Sequence, residues 1–132
     1  LRSLRLVAMV GLGGAIGSAL RYLLTIAVQS RTGAGFPAGT LAVNVTGAFL
    51  LGLIMRYSVH SVAITPEMRL LLTTGLCGGY TTFSTFSYES ARMVEDGEWR
   101  SALLYALLSV ALSLAAMFFG FRAAHWVRGS WS

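Results

Sequence analysis

The chain has 132 residues, of which 55% are hydrophobic and only 11% are charged, and its mean hydropathy is +0.68. Because soluble domains usually carry about 25% charged residues, this composition excludes an ordinary soluble protein and indicates a membrane protein. The net charge is +5 and every basic residue is arginine, but most arginines lie at the ends of apolar segments, which favours membrane anchoring over nucleic-acid binding.

Apolar segments long enough to cross a bilayer divide the chain into four predicted helices. A helix needs about 20 apolar residues to cross the hydrocarbon core. The predicted spans cover residues 6–28, 39–55, 70–88 and 102–121. We therefore predict an all-α membrane protein with one transmembrane domain over residues 1–132 and both termini on one side. Six arginines fall on that side and three on the other, a weak bias that permits insertion in both orientations.

The first span contains small residues and one charge. Gly13 and Gly17, and likewise Gly14 and Ser18, lie four residues apart, a spacing that lets helices pack closely in lipid. Arg21 lies within the apolar segment, where a charge costs about 2.5–3.5 kcal/mol on insertion scales. It either snorkels to the interface or has a functional role, since a basic residue at a pore mouth would attract anions.

The second span contains Asn44, the only side-chain amide in the four predicted spans. An unpaired amide is costly in lipid, so Asn44 must face other helices or water. It either joins helices by hydrogen bonds or presents its two N–H donors to an anion. Thr40 lies one helical turn before it.

The third span is uncharged, but its sequence is poorly suited to a continuous helix. Glycine costs about 1 kcal/mol relative to alanine in a helix interior, and Ser and Thr compete for backbone hydrogen bonds. The run from Gly75 to Ser87 is rich in all three, so we predict a break in mid-membrane that marks an ion or substrate site. Phe83 and Phe86 share a face if the helix resumes. Their rings either pack in the core or offer positively polarised edges to a small anion.

The fourth span carries hydroxyl groups at a helical spacing. Tyr105, Ser109 and Ser113 recur every four residues and therefore share one face. Each hydroxyl either bonds a carbonyl of its own helix or contributes to a polar track along a pore. Glu89, at the end of the third span, is either an interfacial carboxylate capped by water or Arg92, or the end of that track. Residues 92–100 are predicted as a polar connection.

No catalytic arrangement is evident in the sequence, and we predict that the chain is not an enzyme. His60 and His125 lie in loop or terminal segments, and no motif pairs either of them with a nucleophile. The single cysteine, Cys77, excludes a disulfide within the chain and a multi-cysteine metal site.

These features together resemble the Fluc family, also called CrcB, of small fluoride channels. Three blocks carry the resemblance, at residues 13–22, 39–47 and 75–86, and it covers essentially the whole chain. The Gly-Gly-x-Thr-Thr-Phe-Ser-Thr-Phe run at residues 78–86 is the most specific of them. Ser18 departs from the pattern, because the family often has alanine there.

The resemblance implies an antiparallel, dual-topology homodimer in a bacterial or archaeal plasma membrane, with two fluoride pores built from both subunits. Fluoride would leave the cytoplasm passively, which gives fluoride resistance. Asn44, Phe83 and Phe86 match the family's fluoride-coordinating positions. Further positions match or adjoin the polar pathway, namely Thr40, Ser84, Glu89, Tyr105, Ser109 and Ser113. Arg21 matches a position near the aqueous vestibule.

The resemblance also implies a structural sodium ion at the helix break. Its ligands would be the backbone carbonyls of Gly78 and Thr81 from both subunits. This agrees with the general ability of unwound carbonyls in membranes to coordinate a cation.

Three alternatives have different signatures. A small multidrug exporter also has four spans, but it depends on a carboxylate in the first span, where this chain has Arg21 and no acid. A structural or assembly subunit would use the glycines and hydroxyls for packing alone and would conduct no ions. An intramembrane hydrolase would need a nucleophile and base, and no such pair is evident.

Overall fold

The computed structural model describes residues 1–129, which form helices and short connections without a β-strand. In chain order the elements are α1 (Arg2–Thr32), α2 (Ala38–Val59), α3 (Pro66–Leu70), a π-helical segment (Leu71–Cys77), α4 (Gly78–Tyr80), α5 (Phe83–Glu95) and α6 (Trp99–Gly129). Thr65 caps the start of α3, because its hydroxyl accepts the Met68 N–H over 3.1 Å and Pro66 occupies the first helical position.

Three helices, α1, α2 and α6, are long and apolar enough to cross a membrane. The prediction of an all-α architecture is therefore confirmed for residues 1–129, and the three helices agree with a multi-pass membrane protein. The predicted third span, 70–88, corresponds to several shorter stretches between α3 and α5, each shorter than a span.

The long helices extend beyond the predicted spans. α1 extends beyond 6–28 at both ends, α2 continues past 39–55, and α6 extends beyond 102–121 in both directions. Hydropathy marks the apolar part of a helix, whereas backbone hydrogen bonding continues through polar turns at either end.

The connection between α5 and α6 is three residues long, not the nine predicted for 92–100. Gly97 has a φ of 80°, in the left-handed region that favours glycine. Its N–H donates to the Val94 carbonyl over 3.1 Å, and the Glu98 N–H donates to the Met93 carbonyl over 2.7 Å. These bonds close α5 as a Schellman motif, so α6 follows at once.

Helices α2 and α6 run parallel and pack closely. Leu41 packs beside Tyr105 near the start of both helices, and Gly52 meets Met117 further along. A Cβ at Gly52 would lie 2.5 Å from the Met117 carbonyl oxygen, and Gly120 faces the backbone of α2 equally closely. The carboxyl ends of α2 and α6 therefore lie at the same end of the molecule.

Helix α1 packs through glycines against the π-helical segment. A Cβ at Gly13 would lie 2.5 Å from the Leu71 carbonyl oxygen, and one at Gly17 would overlap the Leu76 carbonyl oxygen. The predicted close packing of this glycine pair is therefore confirmed. Ser18 is partly buried, and its hydroxyl donates to the Ala15 carbonyl of its own helix over 3.2 Å.

The buried core is small and lies where α2, α5 and α6 meet. It includes a cluster of Met93, Ala102 and Tyr105, with Phe36, Leu41 and Phe86 partly buried against them. Many large apolar side chains on α1 and α6 stay exposed, so these surfaces face lipid or another protein chain.

Candidate ion pathway at the helix break

Two extended residues interrupt the helix between α4 and α5. Thr81 has φ −90° and ψ 159°, and Thr82 has φ −150° and ψ 118°. Thr82 then serves as the N-cap of α5, because its hydroxyl accepts the Thr85 N–H over 3.2 Å. The run of glycine, serine and threonine therefore produces a local loss of helix followed by a capped restart.

Asn44 of α2 pairs with the interrupted backbone. The Thr82 N–H donates to Asn44 Oδ1 over 2.8 Å, and Asn44 Nδ2 donates to the Thr82 carbonyl over 3.0 Å. Asn44 therefore makes the helix-to-helix hydrogen bonds that were one of its two predicted roles. A primary amide has two N–H donors, so one remains for a further partner.

Arg21 of α1 also bonds the break. Its Nε donates to the Gly79 carbonyl oxygen over 3.0 Å. In a continuous α-helix that carbonyl would accept the N–H four residues later, from Phe83. The sequence did not predict this hydrogen bond for Arg21. The bond replaces a helical hydrogen bond that the Gly79 carbonyl loses at the break.

The break leaves two carbonyls without their helical donors. A carbonyl at residue i in an α-helix accepts the N–H of residue i+4. For Gly78 that donor is Thr82, whose N–H goes to Asn44 instead. For Thr81 it is Thr85, whose N–H goes to the Thr82 hydroxyl. Both carbonyls are therefore available as ligands.

An open cleft of about 780 Å³ lies against the break and is bounded by α2, the π-helical segment, α5 and α6. Most of its wall is apolar. The predicted site residues that line it are Asn44, Gly78, Thr81, Phe83, Phe86, Ser109 and Ser113. Five predicted residues do not line it, namely Arg21, Thr40, Ser84, Glu89 and Tyr105. The fold thus gathers residues from three distant parts of the sequence along one cleft.

The two phenylalanines at the cleft have different surroundings. Their ring centroids lie 5.6 Å apart. Phe86 is partly buried and packs on Tyr105 at 5.0 Å, whereas Phe83 is 78% exposed. In the single chain, Phe86 therefore packs against the core, whereas Phe83 does not.

Tyr105 connects α6 to the end of the predicted polar track. Its ring is fully buried, and its hydroxyl donates to Glu89 Oε1 over 3.0 Å. Thr40 is also buried and lies beside the Tyr105 hydroxyl. Glu89 is therefore paired with Tyr105, whereas Arg92, its predicted cap, interacts with Tyr88.

The serine hydroxyls of the track differ from one another. Ser109 Oγ is buried and has no hydrogen-bond partner within residues 1–129, so it does not bond a carbonyl of its own helix. Ser113 lies on the same wall of the cleft. Ser84 is exposed outside the cleft, with its hydroxyl 3.3 Å from that of Thr82.

Two residues at the break received no role from the sequence. Thr82 is central, because it both pairs with Asn44 and caps α5. The preference for threonine immediately before a helix could have identified it as a cap. The Tyr80 hydroxyl lies 2.8 Å from Thr46 Oγ1 of α2, a contact that no sequence signal indicated.

The sequence model of one protein family, described as CrcB-like protein, Camphor Resistance (CrcB), matches residues 8–121. The chain belongs to the CrcB family. This confirms the resemblance drawn from its motifs and disfavours the multidrug exporter.

Relatives of this CrcB-family chain are similar over nearly their whole length. A protein of Rhizobium meliloti is 48% identical over 114 residues, 86% of this chain and 91% of its own. One of Geobacter sulfurreducens is 50% identical over 118 residues, covering 89% and 95%, and one of Aquifex aeolicus is 50% identical over 115 residues, covering 87% and 93%. Each is named fluoride-specific ion channel FluC. These names describe ion channels and confirm the prediction that this CrcB-family chain is not an enzyme.

Proposed function

We propose that this chain forms a fluoride-selective channel through which fluoride leaves the cell passively. The observation that carries the proposal is the cleft at the helix break. It presents a free amide donor of Asn44, an exposed ring of Phe83 and the unpaired hydroxyl of Ser109 within one groove. Relatives about half identical to the chain are named fluoride-specific channels, which supports fluoride as the ion.

The cleft has the chemistry that a small dehydrated anion requires. Amide and hydroxyl donors replace water around fluoride, and the positive edges of aromatic rings add weak attraction. A channel site must bind strongly enough to admit an ion and weakly enough to release it. Neutral donors satisfy both conditions, because no charged side chain lines the cleft in the described part of the chain. Chloride is larger and gains less from compact donors, so a narrow path rejects it.

The path continues beyond the cleft along the polar residues of α2, α5 and α6. The buried Tyr105 hydroxyl bonds Glu89, and Thr40 lies beside it. Ser113 lies on the wall of the cleft and Ser84 lies outside it, and both add polar positions to the path. Arg21 serves the aqueous vestibule through its positive charge as well as through its bond to the break.

The proposed assembly is an antiparallel homodimer in the plasma membrane. Residues 66–95 act together as a third, broken crossing, which gives four spans in each subunit. The cleft is open on one side and Phe83 is mostly exposed at it, so a second copy of the chain is needed to enclose the path. The weak arginine bias permits the two orientations that such a dimer requires. Two copies then form two pores.

A sodium ion at the dimer axis would be held by the Gly78 and Thr81 carbonyls of both subunits. In a continuous helix these carbonyls would accept the N–H groups of Thr82 and Thr85. Both N–H groups bond side chains instead, which supports the availability of the two carbonyls as ligands. Oxygen ligands suit a hard cation. When bound, the ion would neutralise the converging carbonyl dipoles.

Efflux from liposomes tests the proposal. Purified protein is reconstituted in liposomes loaded with potassium fluoride, valinomycin releases the potassium, and an electrode records fluoride. A parallel preparation measures chloride, and protein-free liposomes provide the baseline. Fast fluoride release without chloride release is expected. No fluoride release from folded, dimeric protein would overturn the proposal, and release that requires a proton gradient would point to coupled transport.

A further inference from the structure

A second groove, of about 1040 Å³, lies at the shared carboxyl end of α2 and α6, and it shares no lining residue with the cleft. We call it the basic groove. It is lined by Arg56, His60, Ala115, Phe118, Phe119, Phe121, Arg122, His125, Trp126 and Arg128. No acidic side chain lines it within the described part of the chain. The proposed fluoride path uses none of these residues.

The groove changes character along one face of α6. Ala115, Phe118, Arg122 and Trp126 recur every three or four residues, so they line the same side of the helix. At about 1.5 Å per residue, the apolar start of this face lies ~10 Å from its first arginine. Apolar surface therefore lies toward the middle of the span, and positive charge lies at its end.

Arg56 brings a second guanidinium to the groove from α2. Its guanidinium carbon lies 4.2 Å from the centre of the Phe121 ring of α6. Stacking of this kind holds the planar group by its face and leaves its N–H edge free to donate. Arg56 and Arg122 are both exposed, and a guanidinium edge matches the oxygens of a phosphate.

We infer that the basic groove binds the headgroup of an anionic phospholipid, whose acyl chains lie along Phe118 and Phe119. Both phenylalanines are about two-thirds exposed, and Trp126 is 61% exposed beside them. Aromatic residues at the end of a span mark the membrane interface, where lipid headgroups lie. Basic pockets between membrane helices at this level suit anionic headgroups. Charge complementarity and the order of apolar and basic surface both match one lipid molecule.

Trp126 provides a direct probe of lipid at this groove. Trp99→Phe and Trp131→Phe leave it as the sole tryptophan, and lipids brominated on their acyl chains quench a tryptophan that they contact. The protein is reconstituted in mixed vesicles of phosphatidylcholine and phosphatidylglycerol, and a small fraction of either lipid is replaced by its brominated form. The ratio of quenching by the two lipids reports the relative association constant of the anionic lipid.

We expect a quenching ratio above one, because each arginine that contacts the headgroup should raise the association constant of the anionic lipid about fivefold. Arg56→Gln with Arg122→Gln should reduce it to about one. The control, Arg31→Gln with Arg100→Gln, removes the same charge elsewhere and should leave the ratio unchanged. Circular dichroism and the elution volume of each variant verify folding.

Two results would overturn the inference. A ratio of one in the chain with intact arginines would show that no anionic lipid accumulates at Trp126. If the quenching ratio stays high in the variant that lacks Arg56 and Arg122, the preference for anionic lipid comes from general attraction to a cationic protein. In the latter case a chain with Trp99 as its only tryptophan would show the same preference, whereas the inference expects none there.

Discussion

Asn44 and Thr82 exchange two hydrogen bonds, of 2.8 Å to the Asn44 oxygen and 3.0 Å from its nitrogen. The amide thus replaces a neighbouring backbone at a point where the helix offers no partners. In the proposed third crossing the break lies at membrane depth, where irregular backbone must be satisfied by protein or water, and this pairing supplies such partners. The same amide retains one donor for the cleft, so its structural role leaves that donor for the proposed contact with fluoride.

Asn44→Ala is expected to abolish fluoride release and to lower stability. The variant leaves the Thr82 N–H and carbonyl without Asn44, and an unsatisfied buried polar group costs about 1–3 kcal/mol. Thr46→Val is a suitable control on the same helix, because Thr46 is exposed and bonds only its own helix and Tyr80. Liposome efflux and thermal unfolding in detergent provide the two measurements. Release from Asn44→Ala at the rate of the unaltered chain would contradict the role of the amide.

Gly17→Ala is expected to destabilise the fold by about 1–3 kcal/mol, as overpacking does. The added methyl would overlap the Leu76 carbonyl, which is backbone and cannot rotate away. Gly11→Ala is the matched control in the same helix, because nothing lies within 4 Å of its Cβ position. It should be neutral or stabilise by up to about 1 kcal/mol through helix propensity. Equal unfolding temperatures for the two variants would show that α1 does not pack as described.

Ser109→Ala separates function from stability. The Ser109 hydroxyl is buried and has no partner within residues 1–129, so its removal should leave stability unchanged or slightly higher. Fluoride release should fall about tenfold, because a hydrogen bond to an ion is worth ~1.5 kcal/mol. Ser30→Ala, which removes an exposed hydroxyl bonded to its own helix, should change neither quantity. Unchanged release from Ser109→Ala would exclude this hydroxyl from the path.

Arg21→Met and Arg21→Gln distinguish the hydrogen bond of Arg21 from its charge. Glutamine carries an N–H donor as many bonds from the backbone as arginine Nε, whereas methionine has a similar shape and no donor. If the bond to Gly79 holds the break, the glutamine variant should keep its unfolding temperature and the methionine variant should lose about 1–3 kcal/mol. Fluoride release should fall in both if the charge attracts anions at the vestibule. Equal stability of the two variants would show that the bond to Gly79 does not hold the break.

Much of the candidate site could be anticipated because its residue types are rare in lipid. A lone amide, an arginine within an apolar segment and glycines beside threonines each conflict with an ordinary span, and Asn44, Arg21 and the break all lie where α1, α2 and α4 approach one another. The partners of these residues were less accessible. Every residue has a backbone carbonyl, so no residue pattern indicates that the carbonyls of Gly79 and Thr82 would accept hydrogen bonds from Arg21 and Asn44.

The sequence by itself determined the helical class and the apolar character of the long helices, because these follow from local composition and periodicity. Only the tertiary structure decided that α2 and α6 run parallel, that Ser109 lacks a partner while Tyr105 bonds Glu89, and that a basic groove forms at their shared end. Those features depend on contacts between distant residues, and the close approaches of glycine to backbone that position them are not encoded in any single segment.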